Sequence, residues 1–323
     1  MIEYLIKACE VSERGAALPE MRRICFKDAR LQSFNGVVHF QAPSGLASSE
    51  AFMVSEDRLL AALRSCSEKT EIGVTKDFLR LKTGPLIVRV RKLEGEAVFY
   101  NRLSIPASAK NQKAEGLREV LLAIRDFIST DASRPWSVAA LLHDGWAHAT
   151  NNLALVRVPL PKALRKLELK LPVAGVNFLC ELPSLDHYHI DDHNHLIINC
   201  DKMLVRIPQS LPEWPDLSKF FAKMPKRLPP ISEELRLAVE SVQKFSERFV
   251  SLDKVKVAAR AETIESDYEI DFAKAKGTFN APLLRLILSS STHIDFSTFP
   301  EPIFFSNSES GLEGTAIGAS MPA

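Results

Sequence analysis

Residues 134–158 read Arg134-Pro-Trp-Ser-Val-Ala-Ala-Leu-Leu-His143-Asp-Gly-Trp146-Ala-His-Ala-Thr150-Asn-Asn-Leu-Ala-Leu155-Val-Arg-Val158. Ser137 to Leu142 is a compact apolar run, His143-Asp144-Gly145 a turn, and Trp146 to Thr150 a returning strand. Asn151-Asn152 then interrupts the pattern; both residues tolerate turn or left-handed backbone, so the chain can bend before resuming as the strand Leu153–Val158. Upstream, Leu117, Val120, Leu121, Ile124 and Ile128 stand at helical spacing. The order helix, strand, turn, strand, kink, strand recurs along the chain, and that recurrence decides the fold.

Two kinds of half-unit alternate. The first opens with an amphipathic helix and passes into strands. It occurs at Leu5–Cys9 with Arg22–Phe26 and Gly36–Phe40, at the stretch above, and at Leu235–Val242 with Lys254–Ala258 and Tyr268–Phe272. The second opens with a strand, passes through a short helix and ends in three short strands. Its copies begin at Phe52-Met53-Val54, Leu171-Pro172-Val173 and Phe279-Asn280-Ala281. They end at Leu86–Val90, Met203–Ile207 and Gly314–Ile317. Three matches in one order predict an internal repeat, despite low side-chain identity among the copies. The expected fold class is α+β, with three repeated domains, 1–108, 109–224 and 225–323, each packing two helices on antiparallel sheet. The boundaries fall at the polar stretch Ser104–Gly116 and the Pro-rich stretch Phe221–Pro230.

The 323 residues, with 46% hydrophobic and 25% charged, are those of an ordinary globular chain. No apolar run nears the roughly 20 residues that span a bilayer, and Met1-Ile2-Glu3-Tyr4 lacks the basic start of a secretory signal. Cys9, Cys25, Cys66, Cys180 and Cys200 are scattered without a Cys-x-x-Cys pair, as reduced thiols of a cytoplasmic protein would be. A net charge of +1 excludes a strongly basic nucleic-acid binder but not a local basic face.

The segments resemble the bacterial DNA polymerase III beta subunit, or sliding clamp, family. Ala149-Thr150-Asn151-Asn152-Leu153-Ala154-Leu155 sits where that family has Ala-Thr-Asp-Gly-His-Arg-Leu. Arg134 sits at the Arg opening the same hairpin. Leu171-Pro172-Val173 with Val176 and Leu179 resembles its strand-helix step. Trp214-Pro215-Asp216-Leu217 is similar to its Phe-Pro-Asp-Tyr, and Ala17-Leu18-Pro19 to the Leu-Pro after its first helix. The chain departs at Asn151-Asn152-Leu153-Ala154, is shorter than a typical member and is less acidic, as a divergent, phage-encoded version would be.

The resemblance implies a homodimeric ring around double-stranded DNA, a processivity factor without catalysis or cofactor that tethers polymerase and clamp loader through short hydrophobic peptides. It carries Arg134, Ser137, Thr150, Leu155, Pro225, Met321 and Pro322 to the peptide pocket. Lys7, Arg58, Arg118, Arg125, Arg236 and Arg285 occupy non-core positions of the candidate helices. With Arg14, in the loop after the first helix, they are the candidate DNA-facing cations, for which phosphate attraction without base readout suits sliding. The ring would need head-to-tail edges, for which Phe78–Leu81 and Ile270–Phe272 are candidates.

Two other readings compete. One is an interaction protein that keeps this fold but forms no ring. The other is a hydrolase using a metal on the hairpin His187, His189, Asp191, Asp192, His193, His195, where imidazoles suit Zn or Ni. No Gly-x-Gly-x-x-Gly, Gly-x-x-x-x-Gly-Lys-Ser/Thr, Gly-x-Ser-x-Gly or His-Glu-x-x-His occurs, and the hairpin falls where every copy has a polar turn, so no metal site is assigned.

Overall fold

The computed structural model describes residues 1–13, 21–46, 50–94, 100–106, 112–210, 212–245, 248–253, 255–260, 264–270 and 276–319. Its contacts divide the chain into two compact units, Met1–Arg118 with Ala174–Gln209, and Glu119–Val173 with Ser210–Ala323. No described helix is long and apolar enough to cross a membrane.

In the first unit, α1 (Ile2–Glu13) precedes the antiparallel strands β1 (Arg23–Lys27), β2 (Arg30–Phe34) and β3 (His39–Pro43), followed by β4 (Phe52–Ser55) and α2 (Glu56–Leu63). The hairpin β5 (Glu71–Val74), β6 (Phe78–Thr83) and β7 (Leu86–Arg91) completes the N-terminal part. The helix α3 (Leu117–Ile124) leads into the second unit, where β8 (Ala139–His143), β9 (Trp146–Thr150), β10 (Ala154–Pro159) and β11 (Leu169–Pro172) follow. The helix α4 (Val173–Glu181) then returns the chain to the first unit for β12 (His187–Ile190), β13 (Leu196–Cys200) and β14 (Met203–Ile207). The remaining elements belong to the second unit: α5 (Ser218–Phe221), α6 (Glu233–Gln243), β15 (Phe249–Asp253), β16 (Lys256–Arg260), β17 (Glu265–Glu269), β18 (Gly277–Asn280), α7 (Ala281–Ser290), β19 (His293–Asp295), β20 (Ile303–Asn307) and β21 (Leu312–Ala316).

The sheets follow one rule. In the first unit a set of three strands joins a set of four, in the order β12-β13-β14-β3-β2-β1-β4. In the second unit the order β11-β8-β9-β10-β21-β20-β19 is built the same way. Each junction is antiparallel, β14 on β3 and β21 on β10. Two sets stay separate: the three-stranded β5-β6-β7 and the four-stranded β17-β16-β15-β18.

The helices form where apolar spacing and caps coincide. Ser232 accepts the Leu235 N–H at 3.2 Å to start α6, and Asn280 accepts that of Leu283 at 3.0 Å to start α7. In α6 the buried Leu235, Ala238, Val239 and Val242 make one face. Phe40 meets Phe178 edge-on in the core of the first unit, with centroids 6.0 Å apart, and Phe127 stacks on Phe305 at 6.0 Å in the second.

Three sequence expectations change. The apolar run from Ser137 begins as a 3-10 turn, Pro135–Val138, before β8, because Pro135 opens a helical turn with its fixed φ. The strand β2 was not expected, nor was β15. Phe78–Leu81 is not an edge: β6 is hydrogen-bonded on both sides, by β5 and β7. Asp271 and Phe272 of the other candidate edge lie outside the described residues.

Candidate functional site

The kink at Asn151-Asn152 is a built turn. The Asn151 Oδ1 accepts the N–H groups of Leu153 and Ala154 at 3.1 and 2.8 Å. The Thr150 hydroxyl donates to the Ala154 carbonyl at 2.7 Å and accepts the Asn152 N–H at 3.1 Å. Asn152 takes φ +71°, a conformation that Asn tolerates better than most residues. The turn therefore ends β9 and restarts β10 with Thr150 and Leu155 as its closing pair.

Against this turn lies a cavity of about 250 Å³ within the second unit. One side is Thr150 and Leu155 with Thr315, which faces Leu155 across the β10–β21 junction. Pro215, Leu217 and Phe220, from the segment carrying α5, also line it. So do Trp136 and Arg134, Arg134 being the one charged residue among those lining it. Trp214 supports that corner edge-on against Trp136, with centroids 5.2 Å apart. Phe220 and Leu153, also lining it, are exposed apolar residues. The buried Thr315 hydroxyl has no hydrogen-bond partner among the described residues. A small apolar concavity with a few fixed polar groups suits two or three apolar anchor side chains.

Of the residues expected at this pocket, Arg134, Thr150 and Leu155 line it. Ser137 does not: it is fully buried, and its hydroxyl donates to the Arg134 carbonyl at 2.8 Å, which fixes the turn presenting Trp136. Pro225 does not line it either; Pro215, ten residues earlier, does. The signal was present in Trp214-Pro215-Asp216-Leu217, where the Asp216 carboxylate accepts the Ser218 N–H at 2.9 Å and starts α5. Those hydrogen bonds from Ser218 hold the Asp216 carboxyl below its usual pKa. Trp136 was missed because nothing in its spacing separates a cavity-lining ring from any other aromatic. Met321 and Pro322 lie outside the described residues.

The candidate DNA-facing cations divide by how free they are. Arg58 on α2 and Arg285 on α7 are exposed and have no ion-pair partner among the described residues. Arg125 is half-exposed, 3.3 Å from Asp126. Arg118 donates to the Leu182 carbonyl at 2.8 Å and Arg236 to the Ser291 carbonyl at 2.7 Å. Lys7 is mostly buried and paired with Glu10 at 2.8 Å. Arg14 lies outside the described residues. On the His-rich hairpin, His195 is engaged by Asp191 at 3.1 Å, and backbone N–H groups of His193 and His195 bind the same carboxylate, holding its pKa down against desolvation. No three His, Cys, Asp or Glu side chains among the described residues are grouped to hold a metal ion.

No family model matches the chain, and no curated protein does. Solved structures do. The DnaN sliding clamp (DNA polymerase III subunit beta) of Pseudomonas aeruginosa bound to griselimycin is 15% identical, over 99% of this chain and 97% of that one, with a TM-score of 0.75. The clamp of Bartonella birtlesii bound to griselimycin gives 13% identity, the same coverages and a TM-score of 0.79. The Helicobacter pylori beta clamp bound to a DNA ligase peptide gives 12%, again over 99% and 97%, with a TM-score of 0.70. The α+β fold expected from the repeat is therefore that of the bacterial sliding clamps, over the whole chain.

Proposed function

We propose that this chain is a DNA sliding clamp: two copies close head to tail around duplex DNA, and each cavity holds a short apolar peptide of a polymerase or clamp loader. It has no catalysis of its own and works in the cytoplasm. One observation carries the reading. Among the described residues, the sheet junction made twice within the chain leaves one four-strand set and one three-strand set without such a junction, which supports their joining between two copies. On this reading segments 1–108, 109–224 and 225–323 are the domains, each supplying one set of each kind.

The two internal junctions also give the register of the third. Phe34–His39, Thr150–Leu155 and Arg260–Glu265 close equivalent turns. His39 faces Arg206, three residues past the closing pair Cys200–Met203. Leu155 faces Thr315, three past Asn307–Leu312. Three past Thr83–Leu86 is Arg89. By the same rule Glu265 on β17 of one copy faces Arg89 on β7 of the other, and Ile264 meets Val90. Exposed Leu86, Ile87 and Ile264, which a free chain leaves in water, would be covered. In this register Glu265 and Arg89, of opposite charge, stand directly across the edge from one another.

The cavity supports the docking half of the reading, since clamps of this fold from Pseudomonas aeruginosa and Helicobacter pylori are bound to griselimycin and to a DNA ligase peptide. Arg58 and Arg285 are the freest candidates for screened phosphate contact; a ring needs no tight grip, because topology prevents escape. Tethering then makes each polymerase rebinding effectively intramolecular. The test is retention on DNA. Protein loaded on a closed circular plasmid should stay through a high-salt wash and leave when the plasmid is cut once. Equal loss from circular and linear DNA, with a monomeric mass, would replace the ring by a clamp-fold interaction module.

A further inference from the structure

The strand position two residues past the closing pair of the turn does the same work in both units with different chemistry. In the first unit it is Gln41. Its amide donates to the Leu103 carbonyl at 3.1 Å and accepts the Leu103 N–H at 3.0 Å, fastening the connecting segment to β3. That segment carries Tyr100 against Phe34 and His39, with centroids 5.0 and 5.2 Å away. The place beside this turn is thus filled by the chain's own aromatic ring.

In the second unit the equivalent residue is Arg157 on β10. Its guanidinium lies over the Trp146 ring and over the Phe221 ring, 4.2 Å from each centroid, and reaches Glu313 on β21 at 2.6 and 2.7 Å. A flat cation between two aromatic faces, steered by a carboxylate, is a geometry that the planar guanidinium holds better than a lysine ammonium. Phe221 is buried in this contact, while its neighbour Phe220 stays exposed and lines the cavity. Whatever fixes Phe221 therefore fixes where Phe220 and Leu217 stand. The other end of the segment is held by Trp214 on Trp136. Arg157 itself does not line the cavity.

We propose that Arg157 is a positioning residue of the pocket: from outside the cavity it anchors the wall Trp214–Phe221 so that the space filled by Tyr100 in the first unit stays open here for an apolar ligand. This rests on the cavity being a ligand pocket, so the test carries a readout that needs no ligand. Griselimycin is the probe. The second readout is the emission of Trp214 in a Trp136→Phe, Trp146→Phe background, which keeps a ring at both positions.

Arg157→Ala should weaken griselimycin binding about tenfold, the scale of losing one immobilised wall, and shift Trp214 emission to the red as its indole meets water. Arg157→Gln, which copies the first unit, should do the same and serves if the alanine variant misfolds. Arg157→Lys keeps the charge facing Glu313 but not the plate between the rings, and should recover less than half of the loss. Full recovery by Lys, or unchanged emission and affinity in the Ala and Gln variants, overturns the proposal. A parent that ignores griselimycin while Arg157→Ala still shifts Trp214 supports the anchor and overturns the pocket reading instead.

Discussion

His39 and His148 are buried histidines whose ring nitrogens are short of partners: both of His39 and Nδ1 of His148 have none among the described residues. Burial, with Arg206 beside His39, pulls its pKa down to about 3. Burial, with Arg157 beside His148, pulls that one to about 4. Between these values and about 6.5 the unfolded chain binds protons that the folded chain refuses, so stability falls as pH drops through that window. For His148 alone the loss between pH 7 and pH 4 is on the order of 3 kcal/mol. Melting followed at pH 7.5 and pH 5 should show a lower Tm in acid, and a His39→Leu, His148→Leu variant should lose most of that difference. An equally steep decline in the double variant would assign it elsewhere. At the same scale, Leu155→Ala removes apolar wall beside Thr315 and should weaken griselimycin binding about tenfold, measured by calorimetry; because Leu155 is buried, the fold should also lose about 2–3 kcal/mol, read as a lower Tm.

At the scale of the element, packing is tight where helix and sheet meet. Gly175 on α4 would place a Cβ 2.6 Å from the Ile207 Cγ2 on β14, so the helix lies on the strand at a distance only glycine allows. Gly175→Ala should cost about 1–3 kcal/mol by overpacking, read as a lower denaturation midpoint; an unchanged midpoint would mean the helix slides freely. Most elements were legible because their apolar residues recur at strand or helix spacing and end at Gly, Asn or Pro. The strand β2 was not, since Gln32 and Ser33 are buried in it and Gln32 donates to Gln41 at 3.2 Å. The turn before it uses Asp28 and Ala29 at positive φ, without the glycine that announces such turns. In the cavity wall, Thr150 and Leu155 were named through the resemblance of Ala149–Leu155 to a family segment, and the structure lines the cavity with both. Phe220 was not named, and Pro215 was quoted only within Trp214–Leu217 without a place at the cavity, because a loop's partner across space leaves no periodicity.

For the whole molecule the expectation is an assembly set by charge. Arg80 and Arg89 are directly opposed on β6 and β7, a like-charge pair that disfavours the isolated sheet. Arg89→Glu should therefore leave the monomer folded while breaking the contact with Glu265 of a second copy. Glu265→Arg should do likewise. Light scattering should find each single variant dissociated at least tenfold more readily, on a scale of about 1.4 kcal/mol per tenfold, and the double variant restored. Singles that stay dimeric, or a double that stays apart, would remove the predicted register.

The sequence by itself determined the alternation of helices and strands, the threefold repeat and the place of the kink, because these depend on local backbone preference and on the period of apolar residues. Only the tertiary structure decided which strand sets join, that Pro215 rather than Pro225 walls the cavity, and that Arg157 is clasped between two rings. Those outcomes depend on residues far apart in the chain meeting across β10 and β21, where side-chain shape and charge select the partner and sequence spacing carries no record of it.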